Sequence, residues 1–504
     1  MRPLLPLFLL CAAPALATDP AEFPRRYAET KQSWTRRALV EGLDPQDAKG
    51  RALLLGVLAK EPWYQREGAV AALSKLTDEA SWAELARTKD PAALEGVARA
   101  LGASQSPSRL ALLERLLGDK AWAVRRAAAI ALRGVLEVKS VELLVAAWER
   151  EKDFRVAIHC LESLEQLTGE RELARVEDWK SWLEAKRDSL DLGRKRTGDQ
   201  PGGERIRTRA RGTNLDLSTR GRGQPLLVLP EYGYEHSYLQ TYLRDLEDEH
   251  QVLYLRLPGA ADFKDPPLQP APDLPDPYYP IEQLVASLEA LHAQLVQEKK
   301  IQDRPFAILA HGMTCWIAMR YATLHPKRVR KLLLVAPYSS GAAWEAGRDR
   351  VEALGKQTGD EEMVHFAQNQ VYGGYEPQGD EDSAALERKE LSCYFADPRD
   401  LEIGRLWGPV VTKDDGDGKP YEVRAIARPL GTVVIPEFDL AKLPRVRVPT
   451  LVVHGDRSVR TSLEDAAVVA QHFGGKVLRL KRAARMGFYE EHDAFVKAAR
   501  KHLK

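Results

Sequence analysis

Two side chains that could act as nucleophiles follow an apolar run near the middle of the sequence. The run covers 306–309, and Ala310, His311, Gly312, Met313, Thr314 and Cys315 come after it. Cys315 would open a helix, where the helix dipole lowers a thiol pKa, and Thr314 offers a hydroxyl. Nucleophilic catalysis also needs a histidine that takes the proton and a carboxylate that orients this histidine. The sequence assigns neither partner to Cys315 or Thr314.

The elements around this turn alternate between strands and helices. Apolar runs predict strands at 225–230, 251–259, 306–310, 330–337, 450–456 and 476–480. Amphipathic segments between these runs predict helices. Such alternation is typical of a mainly parallel sheet covered by helices on both faces. We therefore predict an α/β domain over residues 205–504.

The turn resembles the catalytic turn of α/β-hydrolases, in which serine stands in a G-x-S-x-G pattern. The stretches IAMRYATLHPKRVRKLLLVAP and LPRVRVPTLVVHGDRS are similar to the family's sequences after the nucleophile and before the catalytic acid. Residues 338–445 take the place of the family's lid, and the length of this segment is similar to that of the lid in the proline-iminopeptidase-like branch. The resemblance implies an α/β-hydrolase fold and hydrolysis of an ester or peptide bond.

The sequence departs from the family pattern at every catalytic position. Gly312 stands where the nucleophilic serine is expected, and glycine has no side chain to attack with. The catalytic carboxylate falls on Ser458, two residues after a structural aspartate, Asp456. The catalytic histidine falls on Arg485 or Gly487, because the alignment is uncertain by two residues. The resemblance therefore implies a degenerate triad and no catalytic residue.

The region of the oxyanion hole also departs from the family. The family's His-Gly aligns with Pro230-Glu231, where proline lacks an N–H and a carboxylate would oppose a developing negative charge. Residues near the turn could line a pocket for a small acyl or peptide ligand, or could simply pack. These residues are Tyr232, Gly233, His311, Met313 and Trp316. The 11 histidines form no H-x-H or H-x-x-x-H pair, so we predict no metal site, and we predict no cofactor.

Residues 18–190 carry a repeating pattern of amphipathic helices. Glu61, Asp90, Asp119 and Asp153 are 29, 29 and 34 residues apart, and each precedes an apolar stripe. An acidic side chain at a helix N-cap accepts hydrogen bonds from exposed backbone N–H groups. The helix pairs resemble HEAT-type repeats, which stack into a solenoid. The resemblance implies binding of a protein or envelope partner, and a spacer or dimer arm is the alternative.

The first residues resemble a secretory signal. Arg2, the apolar segment 4–10 and Ala15-Leu16-Ala17 predict cleavage after Ala17 and a secreted or periplasmic protein. A polar segment rich in glycine and proline predicts a linker at 191–204.

The net charge of +1 does not point to nucleic acid. After cleavage three widely spaced cysteines remain, which is not a disulfide framework.

Two functions follow as hypotheses. The first is an exported, catalytically degenerate α/β-hydrolase-fold protein that works as a binding module, with the helical repeats binding the partner. The alternative is an active hydrolase of ester or peptide bonds that uses a non-standard catalytic constellation. In a third view the hydrolase domain is a scaffold whose pocket is filled.

Overall fold

The structure, a computed structural model, describes most of the chain in two units. It describes residues 17–30, 33–61, 63–170, 173–190, 192, 204–210, 213–231, 237–257, 281–360, 363–364, 367–368, 393–397, 411–414, 420–423 and 438–504. Contacts between residues divide the chain into Met1–Asp199 and Gln200–Lys504. The predicted signal segment before Ala17, the pocket residues Tyr232 and Gly233, and most of the predicted lid lie outside the described residues.

The described part of the first unit is helical. Its α-helices are α1 Phe23–Glu29, α2 Ser33–Glu41, α3 Ala48–Lys60, α4 Trp63–Leu73, α5 Glu79–Leu85, α6 Pro91–Ala103, α7 Arg109–Leu116, α8 Trp122–Ala131, α9 Val138–Arg150, α10 Phe154–Thr168 and α11 Val176–Lys186. Helices α2, α4, α6, α8 and α10 pack in sequence, each against the next. The helix α7 packs against α6 and α8, and α9 packs against α10 and α11.

The acidic residues of the repeating pattern do not all cap helices. Asp90 and Asp153 are N-caps, and each accepts a hydrogen bond from a backbone N–H of the first turn. Asp119 lies two residues before the N-cap of α8. Glu61 follows the end of α3, where its carboxylate accepts a hydrogen bond from the Tyr27 hydroxyl at 2.7 Å. The prediction of an N-cap is therefore confirmed for Asp90 and Asp153 and wrong for Asp119, while the residue after Glu61 lies outside the described residues.

The second unit is built on an eight-stranded sheet with strand order β1-β2-β4-β3-β5-β6-β9-β10. The strands are β1 Glu204–Ala210, β2 Thr213–Arg220, β3 Gln224–Leu229, β4 His250–Arg256, β5 Phe306–His311, β6 Val329–Val335, β7 Val411–Asp414, β8 Pro420–Val423, β9 Thr450–Gly455 and β10 Lys476–Leu480. Strand β2 pairs antiparallel with β1 and β4, and the pairs from β4 to β10 are parallel. Strands β7 and β8 form a separate antiparallel pair. The prediction of a mainly parallel sheet is confirmed.

Helices cover this sheet. They are α12 Ser237–Tyr242, α13 Arg244–Glu247, α14 Ile281–Gln297, α15 Cys315–Leu324, α16 Gly341–Thr358, α17 Leu463–Phe473, α18 Gly487–Glu490 and α19 His492–Leu503. Every residue of β5 is buried, as expected for a central strand with cover on both faces. In the described part of the chain, no helix combines the length and the apolar character needed to cross a membrane.

Parallel pairing places the ends of four strands at one edge of the sheet. Glu231 follows β3, Gly312 follows β5, Ser458 follows β9 and Arg485 follows β10. In open α/β sheets, ligands bind outside the carboxyl ends of the strands. The fold thus brings the predicted triad positions to the edge where a site belongs.

Candidate functional site

Gly312 forms the apex of a tight turn between β5 and α15. Its φ is +62°, in the left-handed region that favours glycine. Gly312–Thr314 make one short 3-10 turn, and α15 begins at Cys315. A residue other than glycine in such a conformation would be strained by about 1–3 kcal/mol. The turn therefore has the backbone of a strand–turn–helix elbow and no side chain at its apex.

The Glu231 carboxylate occupies the space into which a side chain at position 312 would project. A Cβ atom added to Gly312 would overlap Oε2 and Cδ of Glu231, at separations that real Cβ atoms do not show. The other carboxylate oxygen, Oε1, accepts a hydrogen bond from the Met313 N–H at 2.8 Å. The N–H that follows the elbow residue is one of the two oxyanion donors of α/β-hydrolases. The carboxylate thus fills both the nucleophile space and part of the oxyanion hole.

Arg485 completes a buried ion pair above the turn. Its Nη2 atom donates to Glu231 Oε2, and the side chains of Arg485 and Glu231 are 1% and 2% exposed. The guanidinium carbon lies 4.0 Å from the ring centre of Tyr394 and 5.5 Å from that of Tyr338. The Tyr394 hydroxyl is 3.4 Å from Glu231 Oε2. Tyr394, which belongs to the predicted lid segment, thus covers the ion pair.

The structure shows which of the two candidate positions for the catalytic histidine faces the elbow. The side chain of Arg485 reaches the elbow, as its bond to Glu231 shows. Gly487 instead opens α18, and a Cβ atom there would meet the Leu480 side chain. The position that faces Gly312 is therefore 485. Arginine stays protonated in proteins, so this side chain cannot accept a proton as a histidine would.

His311 lies fully buried beside the ion pair. The Tyr238 hydroxyl accepts a hydrogen bond from the Glu231 N–H at 2.8 Å and lies 2.8 Å from His311 Nδ1. The Arg485 carbonyl, 3.2 Å from Nε2, can only accept, so Nε2 of the neutral ring carries the proton and Nδ1 accepts a hydrogen bond from the Tyr238 hydroxyl. Burial, together with the Arg485 cation, holds the pKa of His311 well below its ordinary value. His311 is a neutral structural residue with both ring nitrogens engaged.

Ser458 stabilises its own turn after β9. Its hydroxyl accepts a hydrogen bond from the Thr461 N–H at 3.0 Å and shares another with the Thr461 hydroxyl at 2.8 Å. The nearby Asp456 pairs with Arg479 of β10 at 2.8 Å. The predicted acid position therefore carries a turn-forming hydroxyl, and the retained aspartate is tied to the neighbouring strand.

The two candidate replacement nucleophiles point into the protein. The Cys315 thiol donates to the Ala310 carbonyl at 3.3 Å, and burial, helped by the Glu231 carboxylate, raises the pKa of this thiol well above its ordinary value. The Thr314 hydroxyl donates to the His311 carbonyl at 2.9 Å and is also buried. The expectation that a helix dipole activates Cys315 is wrong, because desolvation dominates.

The described pocket candidates pack into the protein. Trp316 donates from Nε1 to the Tyr338 carbonyl at 2.9 Å and stacks on Phe438 with ring centres 5.1 Å apart. Met313 is only partly buried and contributes its backbone N–H to the site.

Cys160, Cys315 and Cys393 are buried thiols outside any disulfide among the described residues. Across the described ranges there is no group of three or more His, Cys, Asp or Glu side chains that could hold a metal ion.

Sequence reasoning missed the role of Glu231 and of Tyr394. Glu231 stood out only as unsuited to an oxyanion hole, and Tyr394 carried no pattern. One signal was present: the aligned oxyanion position gained an acidic residue, and the aligned histidine position gained a basic one. Opposite charges at two positions that converge in the family's fold would have indicated an ion pair.

Comparison with known proteins agrees with the fold. An eight-stranded sheet in this order, with an elbow after β5, defines the class of α/β-hydrolase folds. The profile of the alpha/beta hydrolase family matches residues 226–498, more than half of the chain. The chain therefore belongs to the α/β-hydrolase family. A search of curated proteins gave no match.

Several solved structures are similar to this chain. An alpha/beta fold family hydrolase from Bacillus anthracis str. Sterne has 16% identity and a TM-score of 0.45, and the match covers 60% of this chain and 99% of the other. An esterase from Exiguobacterium antarcticum has 17% identity and a TM-score of 0.42, with coverage of 60% and 99%. A proline iminopeptidase-related protein from Thermus thermophilus has 20% identity and a TM-score of 0.43, with coverage of 60% and 97%. At these identities the likeness concerns the fold alone.

Proposed function

We propose that this member of the α/β-hydrolase family does not catalyse acyl transfer and that its hydrolase domain works as a binding module. One observation carries the proposal. The Glu231 carboxylate lies in the space of the missing nucleophile and accepts the hydrogen bond of the Met313 N–H.

Each part of acyl transfer lacks the group that it needs. Gly312 has no atom that attacks, and Arg485 is a cation where a proton acceptor is required. A bound carboxylate also repels the negative charge that develops on a tetrahedral intermediate. Triad residues act as a unit, and the residual rate of roughly 10³–10⁴ over water that survives their loss depends on the oxyanion hole. A filled oxyanion hole removes even that contribution.

We extend the proposal to the rest of the chain. The protein is exported to the periplasm or the cell exterior, and the stacked helices of residues 18–190 form a HEAT-like surface that binds a protein or envelope partner. The signal-like first residues and the serial packing of α2, α4, α6, α8 and α10 support this part. A mature protein that begins at Thr18 by N-terminal sequencing supports export, and one that retains Met1 contradicts it.

Turnover assays on stepwise variants test the catalytic part. We expect no hydrolysis of chromogenic esters or aminoacyl amides by the wild type, and none by Gly312→Ser alone, because Glu231 still fills the oxyanion hole. We expect detectable hydrolysis when Gly312→Ser is combined with Glu231→Gly, Ser458→Asp and Arg485→His. The matched control carries Gly312→Ala with the same three changes and should be inactive.

Turnover by the wild type would contradict the proposal. If such turnover were lost with Cys315→Ala, the alternative of an active hydrolase with a relocated nucleophile would replace it. If it survived Cys315→Ala, a group other than the Cys315 thiol would be responsible, and the proposal that the domain does not catalyse acyl transfer would still fail.

A further inference from the structure

We propose that the remodelled elbow is a receptor for a small monocarboxylate and that its resident ligand is the protein's own Glu231 side chain. This inference rests on the proposed function, since a working acyl-transfer site could not hold a permanent carboxylate at its oxyanion donor. The class of ligand follows from the groups that converge on the two oxygens.

The donors are of the kind that recognises carboxylates. The Met313 N–H binds Oε1 at 2.8 Å, and the Arg485 guanidinium binds Oε2, which also lies 3.4 Å from the Tyr394 hydroxyl. Hydrogen bonds between a guanidinium and a carboxylate are charge-assisted and about twice as strong as neutral ones. The site is buried, so water competes little for these bonds.

Elements other than Glu231 hold these donors in place. The Met313 N–H belongs to the turn between β5 and α15. The Arg485 N–H donates to the Tyr394 carbonyl at 2.9 Å, and the Arg485 guanidinium lies over the Tyr394 ring. The Ala396 N–H is bound in turn by the Glu490 carboxylate at 2.6 Å. Contacts that do not involve the Glu231 side chain therefore set the backbone positions of these donors.

The size of the resident group selects the ligand. Beyond its Cβ atom, a glutamate side chain consists of one methylene carbon, one carboxyl carbon and two oxygens, which are the four heavy atoms of acetate. Glu231→Ala therefore leaves a space with the shape of acetate. Formate is one carbon smaller, and propionate is one carbon larger and would collide with the alanine Cβ. Close-packed interiors respond to a change of a single methylene.

The wild-type protein should not respond to added acetate. A tethered group competes at an effective concentration of millimolar or higher, and far higher when it is already oriented. Glu231 thus keeps external carboxylates out of its own site. The same tether makes the receptor detectable only after the side chain has been shortened.

Thermal unfolding of the full chain in sodium acetate tests the receptor, with sodium chloride at equal ionic strength as reference. For Glu231→Ala we expect the melting temperature to rise with the logarithm of acetate concentration, by roughly 5 °C at a hundredfold excess over Kd. We expect a smaller rise with formate and none with propionate. The wild type and the double variant Glu231→Ala with Arg485→Met should not respond.

A folded Glu231→Ala variant that ignores acetate overturns the inference, as does an equal response of the wild type or of the double variant. If Glu231→Ala does not fold alone, it is refolded in acetate or in propionate. Recovery in acetate but not in propionate supports the receptor. No recovery in either salt, while Glu231→Met with Arg485→Met folds, overturns it. Wild-type turnover of esters is a separate readout, so the proposed function can fail or stand independently of this result.

Discussion

Gly312→Ala should destabilise the hydrolase domain far more than a glycine-to-alanine change at an ordinary turn. Two effects add at this position. Alanine would have to adopt a φ of +62°, and its Cβ atom would overlap the Glu231 carboxylate. The carboxylate would have to leave the Met313 N–H and the Arg485 guanidinium, to which it is now bound.

The size of each effect can be worked from these contacts. The backbone strain is about 1–3 kcal/mol. Loss of the buried partner of Arg485 adds about 3–5 kcal/mol, because an uncompensated charge remains inside the protein. Gly312→Ala should therefore lower the free energy of unfolding by about 4–8 kcal/mol. In a Glu231→Gly background the ion pair is already gone, so the same change should cost the strain of about 1–3 kcal/mol and a shift of the Arg485 side chain, whose Nη2 atom lies 2.5 Å from the added Cβ atom.

Hydrogen exchange of the full chain measures this difference where it arises. The slowest amides of β5, Phe306–His311, report the free energy of opening the core of the sheet. Four proteins form a double-mutant cycle: the wild type, Gly312→Ala, Glu231→Gly and the double variant. We expect a coupling of about 3–5 kcal/mol between the two positions. Costs that add to within about 0.5 kcal/mol would show that Glu231 does not fill the nucleophile space.

Three further predictions concern the same core. Arg485→Met should lower the free energy of unfolding, measured by urea titration, by about 3–5 kcal/mol. Adding Glu231→Met should recover most of that loss. A double variant as unstable as Arg485→Met alone would contradict an ion pair between Glu231 and Arg485. Cys315 should not react with a thiol reagent until urea unfolds the protein, and rapid labelling of the native thiol would contradict its burial. The pKa of His311 is depressed in the native protein, so below about pH 6.5 the unfolded chain binds a proton that the native protein does not. The free energy of unfolding should therefore fall as the pH is lowered, by up to about 1.4 kcal/mol per pH unit for this residue. His311→Asn should lessen that slope between pH 7 and 5.5, and an unchanged slope would refute the assignment.

The sequence predicted the α/β core because its strands are continuous apolar runs, and the structure buries every residue of β5. It could not predict the ion pair in the site, since Glu231 and Arg485 lie 254 residues apart and no local pattern links them. The sequence also gives no sign of what surrounds the His492 ring. That ring is buried between the Phe488 carbonyl and the Asp245 carboxylate, each 2.8 Å from a ring nitrogen. Amphipathic patterns describe one helix and cannot show which neighbour covers its first turn.

Helix starts show the same limit. Asp90 precedes Pro91, whose fixed φ suits the first residue of a helix, and the N-cap is where the pattern put it. Asp119, in contrast, lies two residues before the Ala121 N-cap of α8. The aspartate then accepts a hydrogen bond from the Ala121 N–H at 2.8 Å. An acidic residue before an apolar stripe thus indicates the start of a helix only to within about two residues.

The central claim is that no acyl-enzyme can form at the turn after β5. Treating the purified wild type with a fluorophosphonate and measuring its intact mass tests this most directly, with the Gly312→Ser variant that also carries Glu231→Gly, Ser458→Asp and Arg485→His as the positive control. We expect an unchanged wild-type mass and a labelled control. An adduct on any residue from 311 to 315 of the wild type would contradict it.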